Sequence, residues 1–151
     1  MAKDLNSGKF VYHGSPRVGL NNVGSYQVSG IPFITGSNGS LPGDYEARIK
    51  FPYVSRSVTV INSGSGGPLL VHFNSSSDGD VTSDKSHHYV TLASDQTSMT
   101  FDVKCKEIFI TSKGAGTGFE LFAELTNIPT GSMYTLTGSG LTNFSDESNP
   151  G

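Results

Sequence analysis

A two-residue rhythm of apolar and polar side chains runs through this chain in short bursts, each cut by glycine, serine, asparagine or proline. It is cleanest at Met99–Lys106. There Met99, Phe101, Val103 and Cys105 alternate with Thr100, Asp102, Lys104 and Lys106. Successive side chains of an extended strand point to opposite faces, so this segment has one face for a core and one for water. The same rhythm sets Tyr45, Ala47, Ile49 and Phe51 against Glu46, Arg48 and Lys50. It also sets Phe119, Leu121, Ala123 and Leu125 inward, with Glu120, Phe122 and Glu124 outward. No stretch has the 3.6-residue period of an amphipathic helix, which leaves strands as the building material.

Further strand candidates are Val58–Ile61, Leu69–Phe73, His88–Leu92 and Met133–Thr137. Glu107–Thr111 is expected to continue the Met99 strand beyond a bulge, because the apolar phase shifts at Ile108 and Ile110. Short strands at close spacing predict an all-β domain. The architecture is a single antiparallel β-sandwich, jelly-roll-like, with an immunoglobulin-like order as the alternative. The 19 glycines supply its turns, since glycine alone takes positive φ without steric cost. Residues 1–23 are polar and read as an extended N-terminal arm. The sandwich spans residues 24–137, and 138–151 form a polar tail. A chain of 151 residues is long enough to bury a core without staples.

Charge and cysteine content narrow the function classes. The net charge is −3, and no basic face of the kind that displaces counterions from nucleic acid is evident. No apolar run reaches the length of a membrane helix, so neither nucleic acid nor membrane is an expected partner. Cys105 stands alone and makes no intrachain disulfide. With an N-terminus that lacks the apolar core of a signal peptide, this predicts assembly in the cytoplasm.

Catalytic constellations are not expected. No histidine among His13, His72, His87 and His88 lies in a nucleophile motif. His72 is expected outward or on a strand rim. His87 and His88 are adjacent, so on a strand they point to opposite faces and do not share an ion. Asp78, Asp80 and Asp84 surround a glycine as in part of a calcium loop, without the full ligand spacing or the glutamate at position twelve. Glu120 and Glu124 are two strand repeats apart, roughly 13 Å, which exceeds the separation that glycoside hydrolysis uses. No cofactor, metal or enzymatic activity is predicted. A sugar platform would draw on Tyr45, Tyr53, Tyr89 or Tyr134, the chain having no tryptophan. Phe122 is the exception to the wet face of its strand and is a candidate interface anchor.

Four phrases, Ser29-Gly-Ile-Pro-Phe-Ile-Thr-Gly36, Lys50–Asn62, Phe119–Asn127 and Met133-Tyr-Thr-Leu-Thr-Gly138, resemble the short virion structural proteins of tailed bacteriophages, marine and cyanobacterial ones in particular. The resemblance implies a capsid decoration, or cement, protein. Its partners would be the major capsid protein and further copies of itself, as a homotrimer, and its location the capsid surface after assembly in host cytoplasm. It implies no catalytic residues. The basic arm, with Lys3, Lys9, Phe10, Tyr12 and Arg17, is then the expected partner-binding segment. The other reading is a carbohydrate- or receptor-binding module associated with a tail or fibre.

Overall fold

The structure, a computed structural model, describes residues 2–3, 10–11, 19–21, 23–24, 30–37, 40–75, 89–94 and 97–134. Ala2–Lys3 (β1) and Phe10–Val11 (β2) pair with each other as a short antiparallel ribbon. The body follows as Ile31–Gly36 (β3), Tyr45–Lys50 (β4), Tyr53–Asn62 (β5), Leu69–His72 (β6), Val90–Leu92 (β7), Ser98–Phe101 (β8), Glu107–Ser112 (β9) and Phe119–Pro129 (β10).

The body strands form two antiparallel sheets. The front sheet has the order β3-β10-β5-β8 and the back sheet β4-β9-β6-β7. The pairs β3–β10, β4–β9, β5–β8 and β6–β7 are nested. The strand sequence is thus folded in half about the β6–β7 connection and then rolled, so that successive nested pairs alternate between sheets. This is the jelly-roll order, and it decides against the immunoglobulin-like alternative. The inner faces meet in one core. Val58, Val60, Phe119, Leu121, Ala123 and Leu125 of the front sheet pack against Leu69, Val71, Leu92, Ile108 and Ile110 of the back sheet. Phe33 and Phe51 close it edge to face with ring centroids 5.3 Å apart, and Phe73 and Phe101 do so at 5.8 Å.

Several expectations need correction. The alternating segment at Met99 ends as a strand at Phe101, and residues 102–106 carry the chain from the front sheet to the back one. Glu107–Ser112 therefore lies in the opposite sheet and does not continue the Met99 strand. The phase shift at Ile108 marks that crossing. Cys105 remains buried, as the alternation predicted, and its hydrogen bonds to Ser55 hold the crossing down: the Cys105 amide donates to Ser55 Oγ at 3.1 Å, and Ser55 Oγ donates to the Val103 carbonyl at 2.8 Å. β5 is ten residues long where Val58–Ile61 alone was expected. Ser55 and Arg56 belong to it because β10 shifts register there, pairing Glu124 with Ser57 and Leu125 with Ser55.

Met133 and Tyr134 are not in a strand, and residues 135–137 of the expected strand lie outside the described residues. Thr130–Ser132 form a single 3-10 turn, and Met133 turns inward against Val54 and Ile128, with Leu20 packed on the same cluster. Leu20, a residue of the expected arm, thus packs on the body, and its carbonyl accepts from Lys104 Nζ at 3.2 Å.

One end of the sandwich is knit by backbone contact. The loops 40–44, 63–68 and 113–118 approach so closely that a Cβ on Gly43 would strike the Gly114 carbonyl. Gly116, at φ 77°, sits against the Leu41 carbonyl in a conformation that side chains rarely adopt. Buried Asn62 stitches the same end. Its Nδ2 donates to the carbonyls of Gly67 at 3.0 Å and Ala93 at 2.9 Å, and its Oδ1 accepts from Thr117 Oγ1 at 3.0 Å.

Candidate interaction surface

The outward side of the front sheet follows from the register. Phe122 lies between Ile34 on β3 and Thr59 on β5, and Thr59 lies beside Thr100 on β8. Glu120 lies between Gly36 and Ile61, and Glu124 between Pro32 and Ser57. The sequence placed Phe122 outward, and it is 39% exposed. Its neighbour Ile34, 76% exposed, was not singled out. The signal was available: in Ile31–Gly36 the apolar residues fall on both phases, so one set must face water.

Hydrogen bonding shows why these two side chains meet. The Ser37 amide donates to the Phe119 carbonyl at 3.0 Å. Alternation then directs the amides of Ile31, Phe33 and Thr35 toward β10, and the main-chain groups of Pro32, Ile34 and Gly36 away from it. Ile34 and Phe122 thus form a non-hydrogen-bonded pair, the arrangement in which side chains across an antiparallel ladder come closest. Proline is tolerated at position 32 because its missing N–H would have pointed off the sheet.

An open groove of about 680 Å³ runs beside this pair. Ile34, Ile61 and Phe122 form its apolar wall, and Ser37, Ser63 and Glu120 its polar one. Polar contacts frame the patch. Ser57 Oγ donates to Glu124 Oε2 at 3.3 Å, Arg56 Nε stands 4.0 Å from the same oxygen, and the hydroxyls of Thr59 and Thr100 are 2.8 Å apart. The result is an apolar centre with a polar rim, the anatomy of a protein-binding patch.

The outward side of the back sheet is different. His72 faces away from the core, as expected, but is 1% exposed, against the expectation of a wet rim. Its Nδ1 lies 2.8 Å from the Asn74 carbonyl, so that nitrogen carries the proton. Nε2 lies 2.8 Å from Thr111 Oγ1 and 3.8 Å from Glu46 Oε2. The ring stacks beside Phe109 with centroids 5.7 Å apart, and the Arg48 guanidinium carbon lies over the Phe109 ring, 5.7 Å from its centroid. Arg48 is fixed in turn by Glu107, at 2.6 Å from Nη2 and 2.7 Å from Nε. This is a satisfied structural cluster.

The remaining sequence candidates are dispersed. Lys3 and Phe10 fall in the main chain of β1 and β2, while Lys9, Tyr12 and Arg17 lie outside the described residues. So do His13, His87, His88, Asp78, Asp80 and Asp84. Tyr45 opens β4 and Tyr53 follows its far end, which puts them at opposite ends of the sandwich, about 17 Å or more apart along the strand direction. Cys105 is buried beside Ser55, and burial pushes its thiol up to about 11, so it is a poor nucleophile at neutral pH. Among the described residues no group of three histidine, cysteine or acidic side chains is placed to hold a metal ion. Among the described residues no helix is long and apolar enough to cross a membrane.

No family model matches the chain. No curated protein matches it either. Among solved structures, it is similar to a chain from the work described as "Bacillus endospore appendages form a novel family of disulfide-linked pili", at 13% identity and a TM-score of 0.38, over 65% of this chain and 88% of that one.

Proposed function

We propose that this chain is a non-enzymatic structural protein that docks on a protein shell through the outward side of its front sheet, as a decoration protein of a bacteriophage head, with the major capsid protein as partner. The observation that carries this reading is the pairing of Phe122 with Ile34, two large apolar side chains held side by side in water on a rigid sheet. Scattered exposed apolar residues are ordinary, but a contiguous pair beside a groove with a polar rim is what an interface core requires. The jelly roll is compatible with the reading without arguing for it, since capsid and lectin domains share the architecture. A glycan-binding module is less well supported, because Tyr45 and Tyr53 stand at opposite ends instead of forming one platform.

The test is quantification of the chain against the major capsid protein in purified virions, joined to reconstitution with the variant Phe122→Asp. A stoichiometric ratio in virions, with loss of head binding by the variant, is the expected result. A handful of copies, or none, overturns the decoration role.

A further inference from the structure

We propose that Glu120 makes the groove of the front sheet a receptor for one basic side chain. The partner that docks on this sheet seats a lysine or arginine there, its cation against the Glu120 carboxylate and its methylene stem along Phe122, Ile34 and Ile61. This rests on the docking role proposed above and adds the chemistry of the side chain that enters. Gly36 and Ile61 flank Glu120 on the two neighbouring strands. A Cβ on Gly36 would lie 3.8 Å from Glu120 Cγ and 2.8 Å from the Phe119 carbonyl oxygen. A side chain at position 36 would thus fill the space beside the glutamate stem, and its absence leaves the groove open on the β3 side of Glu120.

Charge complementarity selects the occupant. Glu107 is paired with Arg48 and Asp44 with Lys113, and Glu124 accepts from Ser57 with Arg56 close by. Glu120 is exposed and has no hydrogen-bonding or ionic partner among the described residues. Arg56 stands against Glu124, roughly 13 Å along the strand from Glu120. A solvated carboxylate alone is ordinary. This one lines a groove whose other wall is Phe122, Ile34 and Ile61. An acidic side chain entering the groove meets like charge. A purely apolar one covers the wall but takes water from Glu120 and returns no donor. A single carboxylate is too few ligands for a metal ion. Lysine and arginine fit both halves, because their stems lie along apolar surface while their charged heads stay at the polar edge. An aromatic ring such as Phe122 adds attraction for a cation over its face. A basic contact also suits a chain of net charge −3.

Two measurements test it, the first without any capsid. The full-length protein is titrated, with amide NMR as readout, against end-blocked leucine–lysine–leucine, leucine–norleucine–leucine and leucine–glutamate–leucine peptides. At an ionic strength of about 0.05 M the lysine peptide should bind about threefold or more tightly than the norleucine one, with shifts centred on Ile34, Ile61, Ser63 and Phe122. In Glu120→Gln, and in the parent at about 0.5 M salt, that preference should fall below about 1.5-fold. The second measurement is binding to phage heads. Glu120→Gln should weaken it about threefold or more. Glu120→Lys, which sets like charges together, should weaken it about tenfold or more. Both variants should keep the parent's circular dichroism. Equal affinities for the lysine and norleucine peptides, no shift at the groove with any peptide, a lysine preference that survives Glu120→Gln, or head binding by Glu120→Lys as tight as the parent's would overturn the proposal. A lysine preference at the groove of a protein that does not bind heads would support the basic occupant and remove the capsid as its source.

Discussion

The outward sides of the two sheets are made from the same number of strands and the same antiparallel pairing, yet they are opposite in character. On the front sheet, Phe122 and Ile34 stand in water between threonines and glutamates. On the back sheet, Phe109 at 3% exposure and His72 at 1% are enclosed, with Thr111, Arg48 and Glu46 completing their contacts. The polar atoms on the back are satisfied in place, so that face contributes to stability. The apolar atoms on the front are left unsatisfied by the chain's own fold, so that face is available for a partner. The comparison teaches that exposure of an apolar residue and burial of a polar one are the informative exceptions, and that each sheet carries one of them.

The sharpest way to break this contrast is to truncate the matching aromatic on each face. Phe109→Ala should cost about 3–5 kcal/mol in urea denaturation, as a buried ring does when it leaves a cavity. Phe122→Ala should cost well under half as much, and equal losses would erase the distinction drawn between the faces.

A second test uses the core between the sheets as reference. Cys105 is held neutral by burial, its pKa raised from 9.0 to about 11. A group whose folded pKa lies above its unfolded value adds stability below the unfolded value and gives it up as pH rises through the folded one. The protein should therefore lose about 2–3 kcal/mol between pH 9.0 and about 11. Urea midpoints across that range should fall more steeply for the parent than for Cys105→Ala. Parallel slopes would show that the thiol ionises in both states alike.

A smaller effect is expected from Thr111→Val, which leaves His72 Nε2 buried without the hydroxyl it meets at 2.8 Å. Loss of a buried partner costs about 1–3 kcal/mol. Thermal denaturation should show it, and a silent substitution would mean that the back-face cluster is packing alone. The smallest effect belongs to Thr59→Ala on the front sheet, which removes an exposed hydroxyl pair with Thr100. Its stability should change by no more than about 0.5 kcal/mol. A larger loss would mean that the front face is already engaged in holding the fold.

Much of this was legible in advance, and the failures have physical causes. The inward set Phe119, Leu121, Ala123 and Leu125 is buried, and Phe122 is outward, because a strand of that length leaves the pattern no other solution. The Met99–Lys106 alternation was equally clean but misled about its second half. A chain crossing from one sheet to the other keeps burying every second residue while it leaves the ladder, so Val103 and Cys105 pack on the core without being strand. His72 was misjudged because alternation fixes which side of a sheet a residue occupies, not whether that side is covered. Ile34 was missed because its strand has apolar residues on both phases, and no local rule says which set faces water.

The sequence by itself determined the secondary structure class, the existence of a two-faced sandwich and the outward position of Phe122. These depend on local alternation and on turn residues, which act over a few positions. Only the tertiary structure decided that β3 lies beside β10, that β9 belongs to the sheet opposite β8, and that Ile34 and Phe122 form one patch. Those facts rest on contacts between residues 88 positions apart in the chain (122 minus 34). Such pairings are chosen by the packing of the whole core, and no short window of sequence carries that information.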